Sequence, residues 1–153
     1  MATAGARVLF TTGRTQVGEN ALRVATLDGD PTSHVLATSL GGRGPNGRTA
    51  IDGDTVYIAA GAGIVRMPIG GGAATVVVDG RPAGVDDVVV AGEELWWTTA
   101  QYLAPQWVEV AHISKAGGPV QVAAINVATA LSDSHPDGDS ALVASPNGVL
   151  RVK

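Results

Sequence analysis

Four short apolar runs recur along the chain, each ending in small residues: RVLFTT (7–12), TVYIAA (55–60), ELWWTT (94–99) and SALVAS (140–145). Their second positions, Val8, Val56, Leu95 and Ala141, are separated by 48, 39 and 46 residues. A second series follows each run: ALRVATLDGD (21–30), GIVRMPIGGG (63–72), VEVAHISKAGG (108–118) and GVLRVK (148–153). In it Val24, Arg66, His112 and Arg151 share one register. A third series, SHVLAT (33–38), ATVVVD (74–79) and PVQVAA (119–124), closes the first three units. A fourth, RTAIDGD (48–54), DDVVVAGEE (86–94) and DSHPDGDS (133–140), leads into the run of the last three.

Each unit therefore reads as four short strands joined by glycine or acidic turns. Helical periodicity is nowhere sustained over the ten or more residues a helix needs. Four-stranded units of about 40–45 residues predict β-propeller blades. The fold class is all-β, with about 3.5–4 blades of four antiparallel strands in a single partial propeller domain. The blades fall at approximately 1–40, 41–79, 80–125 and 126–153. Blades pack face to face, so both faces of a strand are covered. TVVVD and DDVVVA are accordingly solid apolar runs and not alternating ones.

Composition agrees with this. Apolar residues make up 45% of the 153, but Phe, Trp and Tyr only 4%, so the core is built from Val, Ala, Leu and Ile. The 21 glycines lie between the apolar runs, where they serve tight turns. A net charge of −4 without a basic cluster argues against nucleic acid as a partner. With no cysteine there is no disulfide framework, thiolate chemistry or cysteine-based zinc site. The N-terminal MATAGARVLFTTG has no apolar run of signal-peptide length, and no segment approaches the roughly 18 apolar residues of a membrane span. The chain as given reads as soluble, with no membrane partner, and its compartment is left open.

In DSHPDGDS, Asp133, His135, Asp137 and Asp139 alternate as ligands do in a cation-binding loop. The repeat favours another reading. PDGDSALVAS aligns with IDGDTVYIAA, so Asp137-Gly138-Asp139 matches Asp52-Gly53-Asp54 and is expected to be the hairpin between the first two strands of a blade.

The runs LWWTTA (95–100), ALRVATLDGD (21–30) and VYIAAGAGIVRMPIGGG (56–72) resemble the YWTD-type propeller repeats of low-density-lipoprotein-receptor-like and bacterial exported proteins. The likeness covers nearly the whole chain through short motifs. The Asp of YWTD is replaced by Thr12, Ala60, Thr99 or Ser145. The resemblance implies a ring of six blades, more than this chain supplies. An open arc exposes two apolar faces, expected to be built around Val8, Phe10, Leu142 and Val143. Either the chain is part of a longer protein, or it closes compactly with four blades, or copies assemble; the favoured expectation is a second copy as partner, in a twofold dimer whose two arcs close one ring.

Loops leading into the innermost strands form one rim of a propeller. Counted back from the turn glycines, Arg48, Asp87 and Asp133 share one register there, and Ala50, Val89 and His135 the next position on the same face. Arg48, Asp87, Asp133 and His135 are the candidate ligand-binding residues, with Arg43, Asn46, Arg81 and Asp86 nearby. The connection AQYLAPQW (100–107) carries Tyr102 and Trp107, candidates for anchoring a protein partner. Trp96 and Trp97 are expected in the core, and His34 and His112 on the surface. No nucleophile elbow or catalytic triad is visible. No catalytic residue, metal ligand or cofactor is assigned. The function this supports is a non-enzymatic recognition or scaffold module that self-assembles and binds a small polar ligand or a protein on its rim. The alternative is a metal-dependent hydrolase or lyase of the gluconolactonase-like propeller kind, with Asp87, Asp133 and His135 in the channel.

Overall fold

The computed structural model describes residues 2–4, 7–12, 21–26, 33–37, 48–61, 63–80, 84–101, 107–126, 133–145 and 148–152. They form four antiparallel sheets, each a blade, in chain order. Blade 1 holds β1 (Ala2–Ala4), β2 (Arg7–Thr12), β3 (Ala21–Thr26) and β4 (Ser33–Ala37). Blade 2 holds β5 (Thr49–Asp52), β6 (Thr55–Ala60), β7 (Gly63–Pro68) and β8 (Thr75–Val78). Blade 3 holds β9 (Val85–Ala91), β10 (Glu94–Gln101), β11 (Trp107–Ser114) and β12 (Gln121–Asn126). Blade 4 holds β13 (Asp133–Asp137), β14 (Ser140–Ser145) and β15 (Gly148–Val152). In every sheet the spatial order is the sequence order, as expected when each connection is a hairpin between adjacent strands.

The first hairpin of each later blade is a two-residue turn: Gly53-Asp54, Gly92-Glu93 and Gly138-Asp139. The glycines have φ of +56°, +58° and +61°, and no described residue other than glycine has positive φ. Positive φ confined to the first turn residue is the sign pattern of a type II′ turn, whose twist matches the flanking strands. Asp137 and Asp52 themselves are the last strand residues, pairing with Ser140 and Thr55. The DSHPDGDS segment is thus a strand and hairpin, as its alignment with blade 2 requires.

Successive side chains of a strand point to opposite faces, and here the two faces meet different neighbours. Leu22, Val24 and Leu36 of blade 1 pack with Val56, Ile58, Val65 and Met67 of blade 2. Tyr57, Ala59 and Ile64 of blade 2 pack with Leu95, Trp97 and Ala111 of blade 3. Val89, Trp96 and Val110 of blade 3 pack with Ala141 and Val152 of blade 4. Adjacent tryptophans on β10 therefore serve two interfaces, and both are buried as expected. The inner strands touch in the order β1, β5, β9, β13; among the described residues no contact of comparable extent joins β13 back to β1.

One irregularity repeats. The ladder between third and fourth strands slips by one residue at Leu22/Arg23, at Ile64/Val65 and at Val110/Ala111. These are the same place in three blades. The extra outer-strand residue is Leu36, Val77 or Ala123, a β-bulge in each case. Leu36 and Val77 turn into the interface with the following blade.

Candidate functional site: the inner rim and an uncovered blade face

The register read from the sequence is the register of the ladders. Val24 pairs with Leu9, Arg66 with Tyr57, His112 with Trp96 and Arg151 with Leu142. Val24, Arg66, His112 and Arg151 thus hold one register position in the four blades, on the face that blades 1 to 3 each turn to the next.

At the rim where the inner strands begin, Arg48 precedes β5 and Asp87 lies in β9. Arg48 Nη1 is 3.9 Å from Asp87 Oδ2, linking blade 2 to blade 3. Asp87 is only 7% exposed, while Arg48 stays open to solvent. A carboxylate this buried requires a partner. Asp133 and His135 are backbone partners of Ala144 and Leu142 in β13; their side chains lie outside the described residues. So do Arg43, Asn46, Arg81, Tyr102 and the side chains of His34, Asp86 and Trp107. Trp107 opens β11 opposite Gln101. Among the described residues no three His, Asp or Glu side chains are grouped to hold a metal ion.

The opposite rim carries polar links that sequence reasoning missed. Lys115 Nζ lies 2.7 Å from Asp52 Oδ2 across the blade 2 and 3 interface, and 3.4 Å from Glu93 Oε1. Its pKa is raised, first by the hydrogen bond to Asp52 and further by attraction to Asp52 and Glu93, against the lowering effect of desolvation. Arg66 Nη1 donates to the Lys115 carbonyl at 3.4 Å. Arg7 Nη1 stands 3.7 Å from Asp54 Oδ1 between blades 1 and 2. Asp137 pairs within blade 4, its Oδ2 3.1 Å from Arg151 Nη2. Three of these pairs join an aspartate in or beside a first hairpin to a basic residue elsewhere, Lys115 in the turn after β11, Arg7 in β2 and Arg151 in β15, and only the hairpin half was repeated enough to be read.

His112 differs from its surface expectation. Its ring stacks on Trp96, centroids 4.2 Å apart at 11°, and its Nδ1 lies 3.2 Å from Glu94 Oε2. The cause is the ladder itself: His112 is the direct partner of Trp96, on the face covered by blade 4.

The position two residues before each of these registers marks how well each face is covered. Leu22, Ile64 and Val110 are 0%, 0% and 3% exposed, but Val149 is 69% exposed. Ladder pairs Thr11–Leu22, Ala59–Ile64, Thr98–Val110 and Ala144–Val149 establish the equivalence. Blades 1 to 3 each have a following blade; among the described residues, nothing covers this face of blade 4. Leu142 lies in it, as expected. The side chains of Phe10 and Val143 lie outside the described residues.

No family model matches the sequence, and no curated protein matches it. Solved structures do. A chain of a nidogen/laminin complex matches with a TM-score of 0.64 and 16% identity, over 94% of this chain and 57% of that one. TolB from Agrobacterium tumefaciens matches with a TM-score of 0.67 and 17% identity, over 92% and 50%. Virginiamycin B lyase from Staphylococcus aureus matches with a TM-score of 0.64 and 19% identity, over 88% and 45%. This chain thus spans about half the length of each. At such identities the likeness establishes the fold, and it agrees with the repeat: the chain is a β-propeller repeat protein.

Proposed function

We propose that this chain is a non-enzymatic propeller scaffold that completes its ring with a second copy of itself. The observation that carries the reading is Val149, exposed where its three equivalents are buried. Three times along the chain, this face receives the opposite face of the next blade. No blade among the described residues packs on the matching face of blade 1, which bears Val8, Arg23 and Ala25. A second copy supplies that face to blade 4 and receives blade 1 in return. The two seams are then related by a twofold axis along the channel, a closed arrangement that does not propagate into filaments. Matches spanning about half of solved propeller chains support the idea that two copies together provide one ring.

One residue sets this seam apart. Arg23 stands where Val65 and Ala111 are buried in the internal interfaces. Its Nη1 donates to Ser33 Oγ at 3.2 Å, which leaves the aliphatic stem to cover apolar surface. In the completed ring, the rim at Arg48, Asp87, Asp133 and His135 would receive a small polar ligand, and Tyr102 and Trp107 would meet a protein partner.

Light scattering on residues 1–153 at micromolar concentration tests the assembly. The expected mass is twice the 15.4 kDa of one chain, falling to one chain for Val149→Asp with an unchanged circular dichroism spectrum. A monodisperse monomer of the parent chain would overturn the reading and assign the face to further blades of a longer protein.

A further inference from the structure

On the hairpin side of the interface between blades 1 and 2 lies a cavity of about 290 Å³. Val24, Ala25, Val35, Leu36 and Ile69 line it with the backbone of Gly70 and Gly71, and Arg7 stands among the lining residues. This is near the small end of ligand pockets, which span roughly 300–1,000 Å³. The repeat explains why the space is open here. At the next interface, the position of Val24 is held by Arg66 and that of Ile69 by Lys115. Arg66 reaches the Lys115 carbonyl at 3.4 Å, and Lys115 reaches Asp52 at 2.7 Å. Two long polar side chains thus span the equivalent region between blades 2 and 3. Between blades 1 and 2 two shorter apolar ones leave it unfilled.

The chemistry of the cavity is one-sided. Among the lining residues five carry hydrocarbon side chains and one, Arg7, carries a charge. The carboxylate near that guanidinium, Asp54, is 3.7 Å away and its side chain is 94% exposed, so the pair is a weak, solvated one. We propose that this cavity binds a small organic anion, its carboxylate on Arg7 and its hydrocarbon chain between Val24, Leu36 and Ile69. The guanidinium offers a charge-assisted fork for the carboxylate, and the walls remove the tail from water. Val35, exposed on the outer strand, becomes part of a binding surface. The site is separate from the inner rim and from the face of blade 4.

Calorimetry with hexanoate as the probe, and hexan-1-ol as its uncharged counterpart, tests this on the 153-residue chain. Hexanoate should bind at one per chain, and hexanol about tenfold more weakly, the loss expected for one hydrogen bond to a charged group. Arg7→Gln should weaken hexanoate to the level of hexanol. Val24→Arg, which installs the side chain the second blade carries, should abolish binding of both. Amide shifts of Ile69 and Gly70 on adding hexanoate to the parent chain locate the site without any variant. Equal binding of hexanoate and hexanol, unchanged binding in a folded Val24→Arg protein, absence of binding at millimolar hexanoate, or shifts confined to other residues would each overturn the proposal.

Discussion

Lys115 of blade 3 is clamped between Asp52 of blade 2, at 2.7 Å, and Glu93 of the first hairpin of blade 3, at 3.4 Å. The raised pKa of Lys115 makes this clamp a contributor to stability with a defined pH window. The folded value lies above the ordinary 10.5, so the contribution is complete below about pH 10.5 and is lost as pH rises through the folded value. Melting curves from about pH 8 to about pH 12 should show a gap between the parent chain and Lys115→Met that is constant at the low end and closes at the high end. A gap that widens with pH would contradict the clamp.

The hairpin glycines are expected to matter for conformation and not for space. A Cβ on Gly92 would lie 3.6 Å from the Asp139 Cα, an ordinary contact, but φ there is +58°. Gly92→Ala should therefore cost about 1–2 kcal/mol, the penalty of left-handed backbone for an L residue. Gly70, with φ outside that region and open space around it, should accept alanine within about 0.5 kcal/mol. Urea unfolding of the two variants compares them directly.

Ile58 is fully buried between blades 1 and 2. Ile58→Ala should cost about 2–5 kcal/mol, combining lost transfer energy with the cavity left behind. Ile58→Val should cost about 0.5–1.5 kcal/mol. Equal and small losses for both would mean that the interface is not packed as described, and denaturant midpoints would reveal it.

Arg23 supplies a test of the ring from the other side. Arg23→Val gives blade 1 the apolar residue that Val65 provides in blade 2. If the blade 1 face meets blade 4 of a second copy, this change should tighten the dimer, and sedimentation should show it persisting at lower concentration. A dimer that weakens, or does not respond, would place the seam elsewhere.

The register of Val24, Arg66, His112 and Arg151 was legible because one repeated strand fixes its partner through hydrogen-bonded pairing. The propeller fold followed from four such series. Interblade chemistry was less legible. Lys115 and Asp52 are 63 residues apart, with the strands β6 to β11 and a blade boundary between them, and their blades do not repeat both residues. The stacking of His112 on Trp96 required knowing that the two are direct ladder partners. Of the rim residues, Arg48 and Asp87 are brought near each other as their shared register suggested. That register says where a side chain starts, but the buried state of Asp87 depends on neighbouring blades. The bulges left no sequence mark, since Leu36, Val77 and Ala123 have nothing in common beyond being apolar.

The repeated bulge gives the fourth strand of blades 1 to 3 one residue of slack that the turns lack. Removing Val77 would join Val76 directly to Val78 and restore an uninterrupted alternation, with each still opposite its present partner, Val65 and Ile64, so the residues beyond it keep the sides on which they project. A deletion of one residue at the bulge is therefore the loss of a kink and not an inversion of the strand's surface. A whole blade carries its own slip and leaves that alternation undisturbed in its neighbours. The natural quantum of duplication or loss along this chain is the complete four-stranded unit.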